Sequence, residues 1–302
     1  MKTEVNIGKL KMKNPVMTAS GTFGYGQEYA EFFDLSQLGA INVKGISLKP
    51  MGGNPSPRIC ETPCGMINSI GLQNVGLEVF LTEKLPYLRN FQTNIVVNVL
   101  GNSLEEYVEI SERLDSENIN AIELNVSCPN VKHGGISFGV DEHQLKIMLE
   151  AVRKVVKKKT LIVKLSPNVT DIKVFAKTSE DAGADAISLI NTITAMSIDI
   201  NTRRPRVASV IGGLSGPAIK PVAVRMVWEA YNSIKIPIIG MGGIMTYEDA
   251  IEFMLAGASA VAVGTANFID PESTTKIIKG IGEYLSEKDI DNINDLIGGL
   301  QK

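Results

Sequence analysis

Cysteine, histidine and aromatic side chains are scarce in this chain of 302 residues. It contains three cysteines and two histidines, and 6% of its residues are aromatic. Three cysteines cannot form a framework of disulfides, which favours a reducing compartment. The cysteines and histidines also lack the spacing of a zinc site, and the cysteine run of an iron–sulfur protein is missing. We therefore expect no metal centre on this chain.

Excess charge and long apolar runs are absent as well. The chain has 30 Lys+Arg and 33 Asp+Glu, a net charge of −3, and the basic cluster RRPR at 203–206 spans four residues. Such a balance argues against binding to nucleic acid or anionic lipid. No segment approaches the roughly 18 apolar residues of a membrane span, and residues 1–15 lack the apolar run of a signal peptide. We expect a soluble, cytoplasmic protein.

Eight short apolar segments, rich in β-branched residues, predict strands that are buried on both faces. They lie at 15–19, 40–45, 94–101, 121–127, 160–166, 186–192, 237–243 and 260–266. Helical periodicity separates several of them, with start signals at Ser103 (with Glu106) and Thr246 (with Asp249). Eight strands alternating with helices predict an α/β fold, a single (β/α)₈ barrel over residues 1–302. An open doubly wound sheet is the alternative.

Two intervals between predicted strands are too long for one helix and its loops. One runs from Gly45 to Asn94, after the second strand, and the other from Thr192 to Pro237, after the sixth. Both begin at the C-terminal end of a strand, where barrel enzymes build their active sites. We interpret them as active-site insertions rather than as separate domains.

Polar residues or glycines close every predicted strand. They are Ser20, Lys44, Asn98, Asn125, Lys164, Asn191, Gly242 with Gly243, and Gly264 with Thr265. Surface loops are polar by default, but amides and ammonium groups that converge on one barrel mouth suit a polar, planar ligand with many hydrogen bonds. The glycines after the seventh and eighth strands occupy the usual phosphate position of barrels, where backbone N–H groups face the anion. Tight turns are the alternative, but both loops show the pattern together, which favours phosphate binding, and Gly216 could add a further phosphate contact.

Cys128 differs from Cys60 and Cys64, which we expect to be small buried side chains, as free cysteines usually are. It follows the fourth strand in a polar loop, where a thiol of lowered pKa can serve as a general base. A nucleophilic role would need a histidine partner, and neither His133 nor His143 follows a strand directly. Lys44 and Lys164 could form Schiff bases or act as fixed cations, for example beside the negative charge of a reduced flavin.

The chain resembles a known family at the residues just described. The motifs are VKG (43–45), NSIGLQN (68–74), NVSCPN (125–130), VKLSPN (163–168), GMGGI (240–244) and VGTANF (263–268). Together they are similar to the class 1, cysteine-type dihydroorotate dehydrogenases, FMN-containing (β/α)₈ barrels of pyrimidine synthesis. The resemblance runs from about Pro15 to Phe268. The forms at 20–26, 65–74 and 125–135 most resemble the NAD-linked class, called 1B.

The resemblance implies a role for each matching residue. Cys128 would remove the C5 proton of dihydroorotate while the C6 hydride passes to FMN. The substrate would be held by Lys44, Asn68, Ser69, Ile70, Gly71, Leu72, Asn125, Asn191 and Thr192. FMN would be held by Ser20, Lys44, Gly45, Asn98, Asn125, Lys164, Ile190, Gly216, Gly242, Gly243, Gly264 and Thr265.

In the NAD-linked class a separate subunit carries FAD and a [2Fe–2S] cluster and passes electrons to NAD⁺. The resemblance thus implies a heterotetramer built on a homodimer of the catalytic chain. It also accounts for the lack of a G-x-G-x-x-G fingerprint here. The alternatives are a fumarate-linked enzyme without a partner, a flavin barrel that reduces a pyrimidine, free or in tRNA, a Schiff-base aldolase or isomerase using Lys164, and a non-catalytic phosphate-binding barrel.

Overall fold

The computed structural model describes residues 1–127 and 138–301. Its strands are β1 Val5–Ile7, β2 Leu10–Met12, β3 Val16–Thr18, β4 Ala40–Ile46, β5 Ile59–Thr62, β6 Gly65–Asn68, β7 Asn94–Val99, β8 Ala121–Asn125, β9 Thr160–Lys164, β10 Ala186–Leu189, β11 Ile193–Met196, β12 Ile198–Asp199, β13 Arg204–Pro205, β14 Ile211–Ser215, β15 Ile238–Met241 and β16 Ala260–Val263.

Eight parallel strands form a closed barrel in the order β3-β4-β7-β8-β9-β10-β15-β16. Closure is direct, because β16 pairs with β3 and β10 pairs with both β9 and β15. These are the eight strands predicted from the sequence, so the (β/α)₈ barrel is confirmed and the open sheet is excluded. The side chains of the barrel strands are almost all buried, as a sheet covered on both faces requires.

Helices cover the outside of the barrel. They are α1 Gly76–Val79, a π-helical turn Phe80–Lys84, α2 Leu85–Leu88, α3 Leu104–Ser116, α4 Glu142–Val155, α5 Ile172–Asp181, α6 Lys220–Tyr231, α7 Tyr247–Leu255, α8 Ala266–Ile269 and α9 Ser273–Glu287. None of the helices in the described ranges is both long and apolar enough to cross a membrane.

The two predicted start signals do begin helices. Ser103 Oγ accepts a hydrogen bond from the N–H of Glu106 at the start of α3, but the Glu106 carboxylate accepts from the N–H of Asn102, one residue before the expected donor. At the start of α7, the Asp249 carboxylate accepts from the N–H groups of Met245 and Thr246.

The two long insertions form one structure over the barrel mouth. Strands β5 and β6 come from the first insertion and β11 and β14 from the second, and they join in a four-stranded antiparallel sheet of order β11-β14-β6-β5. Its central pair sets Asn68 opposite Gly213 and Met66 opposite Ser215. This mouth sheet, as we call it, places residues from both insertions above the C-terminal ends of the barrel strands.

Packing between α7 and the barrel depends on a missing side chain. A Cβ atom on Gly240 of β15 would lie 2.5 Å from Cδ1 of Phe253, whose ring is fully buried on α7. The helix can therefore approach the strand only because residue 240 is glycine. Just beyond this contact the strand continues into Gly242 and Gly243.

We predict that Gly240→Ala lowers the free energy of unfolding by about 1–3 kcal/mol, because the added methyl overpacks the interface. Phe253→Leu should offset part of that loss, so the double variant should lose less than the sum of the single variants. Denaturant unfolding measures this. Gly282→Ala is the matched control, since nothing lies within 4 Å of its added Cβ. Equal destabilisation by both Gly→Ala changes would contradict the packing account.

Candidate active site

A cavity of about 760 Å³ opens at the C-terminal mouth of the barrel, beneath the mouth sheet. All the strand-closing residues named from the sequence line it: Ser20, Lys44, Asn98, Asn125, Lys164, Asn191, Gly242, Gly243, Gly264 and Thr265. The other expected contact residues line the same cavity: Gly45, Asn68, Ser69, Ile70, Gly71, Leu72, Ile190, Thr192 and Gly216. The fold thus brings together segments from the whole length of the chain. Cys128, the expected base, lies outside the described residues.

Two lysines supply positive charge to the cavity. Lys164 ends β9 and is 6% exposed, and Lys44 lies two residues before the end of β4. Neither forms an ion pair with a carboxylate among the described residues. Burial lowers the pKa of Lys44 from its ordinary value, and the neighbouring charges of Arg58 and Lys164 lower it further. An anionic ligand would relieve this repulsion.

Amide side chains surround the lysines. Asn125 ends β8, and its Oδ1 accepts hydrogen bonds from Ser127 N–H at 3.3 Å and Asn191 Nδ2 at 3.4 Å. Tyr107 fixes the same residue from outside by donating to its carbonyl at 2.7 Å. On β7, Asn98 is buried and its Nδ2 has no acceptor in the described part of the chain. A buried donor without a partner is costly, so it points to a ligand with an acceptor at that place.

Glycines shape the wall near the ends of β15 and β16. Gly216 and Gly243 have φ values of +92° and +79°, which side chains rarely adopt. A Cβ on Gly243 would lie 2.8 Å from the carbonyl oxygen of Gly216, so the two backbones touch only in the absence of side chains. Thr265 Oγ1 donates to Ser215 Oγ at 2.9 Å on the same wall. Exposed backbone and hydroxyl groups of this kind suit a phosphate group.

The segment Asn68–Leu72 crosses the cavity and is held by Asn74. The Asn74 side chain is buried; its Oδ1 accepts from the N–H groups of Ser47 and Gly76, and its Nδ2 donates to the Leu72 carbonyl. Leu72 itself has a φ of +60°, an unusual value for a leucine. The hydrogen bonds of Asn74 therefore fix a strained segment against β4.

The structure adds polar residues that the sequence reasoning missed. Asn54 donates to the Ser69 carbonyl at 3.0 Å, and Asn168 donates to the Thr192 carbonyl and accepts from Thr194 N–H. Both line the cavity, as does Ser215. Asn168 lies in the quoted motif VKLSPN and could have been found there. Asn54 and Ser215 lie within the insertions, where no strand-end signal marks them.

Comparisons with known proteins agree with this arrangement. The family model for dihydroorotate dehydrogenase matches residues 2–285. A protein of Thermoanaerobacter sp. (strain X514) is 55% identical over 301 residues, which cover 100% of this chain and 99% of that protein. One from Geobacter sp. (strain M21) is 56% identical over 298 residues, 98% of this chain and 97% of its own. One from Thermodesulfovibrio yellowstonii is 56% identical over 300 residues, 99% of each chain. All three are named dihydroorotate dehydrogenase B (NAD(+)), catalytic subunit.

We predict that Lys44→Met stabilises the ligand-free protein. Methionine has a similar shape and removes a half-buried charge, so the free energy of unfolding should rise by on the order of 1 kcal/mol. Because the pKa of Lys44 is lowered on folding, its charge costs stability below that pKa. The gain should therefore shrink as the pH rises toward 10.5, the ordinary value.

Thermal melting after removal of bound small molecules, at several pH values, measures this effect. Lys279→Met is the matched control, because the Lys279 side chain is 80% exposed and should give no such gain. A lower melting temperature for Lys44→Met than for the unchanged protein would contradict the prediction.

Proposed function

The chain belongs to the dihydroorotate dehydrogenase family, and we propose that it oxidises (S)-dihydroorotate to orotate, a step of UMP synthesis, with bound FMN as the first electron acceptor. The observation that carries the proposal is the cavity at the barrel mouth, with a glycine wall and two lysines, Lys164 buried and Lys44 half-buried, that form no ion pair among the described residues. The chain matches its curated relatives over essentially their full length. Those relatives are named as the catalytic subunit of the NAD-linked enzyme.

The residues of the cavity fit FMN on three counts. The wall of Gly216, Gly242, Gly243, Gly264 and Thr265 offers space and donors for a phosphate. The Nδ2 of Asn98, which finds no acceptor among residues 1–127 and 138–301, can donate to a carbonyl or nitrogen of the flavin ring. Lys44 and Lys164 give the positive charge that a reduced flavin needs. We assign the ring to Ser20, Lys44, Gly45, Asn98, Asn125, Lys164 and Ile190.

The substrate has its own set of contacts. We assign the dihydroorotate ring and carboxylate to Lys44, Asn68, Ser69, Ile70, Gly71, Leu72, Asn125, Asn191 and Thr192. Amides that both donate and accept match the alternating N–H and C=O groups of a pyrimidine, and the ammonium of Lys44 matches its carboxylate. Asn74 and Asn54 keep the Asn68–Leu72 segment in place, which favours a defined pose for the ring.

The chemistry divides between the protein and its cofactor. Bound FMN would supply the acceptor for the hydride, two electrons and a proton, that leaves C6 of the substrate. Cys128 accepts the proton from C5 as a general base, so that the C5–C6 double bond of orotate forms. Lys44 and Lys164 stabilise the negative charge that accumulates in the cavity. The mouth sheet covers the cavity and limits the access of water.

Electrons must then leave the chain. We propose that a partner subunit with FAD and a [2Fe–2S] cluster carries them to NAD⁺, and that a homodimer of this chain forms the core of a heterotetramer. The support is the name of the relatives. Its words "catalytic subunit" imply a further subunit, and "NAD(+)" names an acceptor. We further propose that residues 1–302 form one domain and that the complex works in the cytoplasm.

We predict that Cys128→Ala lowers the rate of flavin reduction by dihydroorotate at least 100-fold, the usual scale for loss of a general base, while FMN stays bound. Anaerobic stopped-flow absorbance of the flavin measures the rate, and the visible spectrum measures FMN content. Cys64→Ala is the matched control, because Cys64, contrary to the expectation of a buried side chain, is exposed at the turn between β5 and β6. Near-normal reduction in Cys128→Ala would refute the base assignment.

We also predict how the reduced protein is reoxidised. After anaerobic reduction with dihydroorotate, the isolated chain should react with neither fumarate nor NAD⁺, because the proposed route to NAD⁺ passes through another subunit. Absorbance of the oxidised flavin measures the reaction. Rapid reoxidation by fumarate would overturn the partner proposal in favour of a self-sufficient enzyme, whereas rapid reoxidation by NAD⁺ alone would show that no second subunit is needed.

A further inference from the structure

A carboxylate that none of these roles uses lies inside the barrel. Glu123 is on β8 and is 1% exposed. It precedes Asn125 by two residues, and alternate residues of a strand face the same side, so both side chains point into the barrel. Asn125 lines the cavity, whereas Glu123 lies one step deeper, by roughly 6–7 Å along the strand.

The hydrogen-bond partners of Glu123 are neutral. Asn42 Nδ2 donates to Oε2, and Ser188 Oγ donates to Oε1 at 3.3 Å. Glu123, Asn42 and Ser188 belong to β8, β4 and β10, the fourth, second and sixth strands of the barrel. Alternate strands supply one layer of side chains in such barrels, so these three cross the interior together. No cation of the described residues forms an ion pair with Glu123.

A cation nevertheless lies close by. Ser188 is the register partner of Lys164, and Glu123 is the register partner of Ile162, two residues before Lys164. The Cα atoms of Glu123 and Lys164 are therefore roughly 8 Å apart, from the strand spacing and rise. Both donors that the described residues supply to Glu123 are neutral, and a buried carboxylate held in this way is costly unless a positive charge offsets it. Lys164 lies in the adjacent layer, between Glu123 and the cavity.

We propose that Glu123 is a positioning residue that lowers the reduction potential of bound FMN. This rests on the proposed function, since it assumes that the cavity holds the flavin ring above Lys164. The carboxylate does not touch the cofactor; it offsets part of the charge of Lys164 and opposes the negative charge that the flavin gains on reduction. The two lysines alone would stabilise reduced FMN more strongly.

The magnitude follows from Coulomb's law. A unit charge about 10 Å away, at an effective dielectric constant of about 20, changes an equilibrium by roughly tenfold. Loss of the Glu123 charge should therefore strengthen the binding of reduced FMN relative to oxidised FMN about tenfold. For a two-electron couple this corresponds to a rise in midpoint potential of about 30 mV. A lowered reduction potential suits an enzyme that delivers electrons toward NAD⁺, because NAD⁺ is a weak oxidant.

The test uses Glu123→Gln in the FMN-loaded protein. Glutamine keeps the shape and an acceptor oxygen but removes the charge. The midpoint potential, measured anaerobically against a reference dye, should rise by about 30 mV, which corresponds to a roughly tenfold change in the binding of reduced relative to oxidised FMN. Titration of the FMN-free protein with oxidised and then with reduced FMN should show the same tenfold change in the ratio of the two dissociation constants.

Ser188→Ala is the matched control. It removes one hydrogen bond of the same carboxylate without changing the charge, so its potential should stay close to that of the unchanged protein. A purely structural role for Glu123 would alter thermal stability in both variants but leave both potentials unchanged. Should Glu123→Gln fail to fold, Glu123→Asp draws the carboxylate away from Lys164 and should raise the potential in the same direction by a smaller amount.

The outcomes are distinguishable. An unchanged potential in a folded, FMN-containing Glu123 variant overturns this inference, as does an equal rise in Ser188→Ala, and neither result touches the proposed function. If the unchanged protein binds no FMN, or binds FMN that dihydroorotate does not reduce, then the proposed function fails, and the inference fails with it.

Discussion

Parallel strands bring their C-terminal ends to one edge of a sheet, and in this protein that edge closes into a ring because the last barrel strand, β16, hydrogen-bonds to the first, β3. Every residue that follows a barrel strand is thereby directed toward a single mouth. Lys44, Asn98 and Lys164 are separated by more than fifty residues in turn along the chain, yet they line one cavity. The charge, the amides and the glycine wall all depend on this closure.

The same closure explains why so much of the site could be predicted from the sequence. A buried parallel strand has a plain signature, and the residue at its end has a known place once the barrel is assumed. Strand ends alone predict Lys44, Asn125, Lys164 and Gly243 as residues of the barrel mouth, without the family resemblance. The identities of their ligands could not be found so, since they came from the motifs shared with the dihydroorotate dehydrogenases.

There are physical reasons why the sequence does not indicate the remaining residues of the site. Pairing between β6 and β14 joins positions about 145 apart, and nothing local in either insertion indicates it. Ser215 depends on that pairing for its place at the cavity, and Asn54 depends on its hydrogen bonds to Ser69 and Ile70 within the first insertion. Nothing in the sequence marks Glu123, a polar residue within an apolar strand. Its hydrogen-bond partners, Asn42 and Ser188, come from two other strands. Cys128 was named from the sequence and lies outside the described residues.

The mouth sheet has a consequence for how such an enzyme can change. Each insertion supplies only two of its four strands, and the central contact is shared between them. Removal of either insertion would leave the other with an unpaired strand edge directly above the cavity. The two segments therefore form one heritable unit despite their separation in the chain. An exchange with another barrel would have to carry both of them, including Gly212 and Gly65, whose lack of side chains allows β14 and β6 to meet.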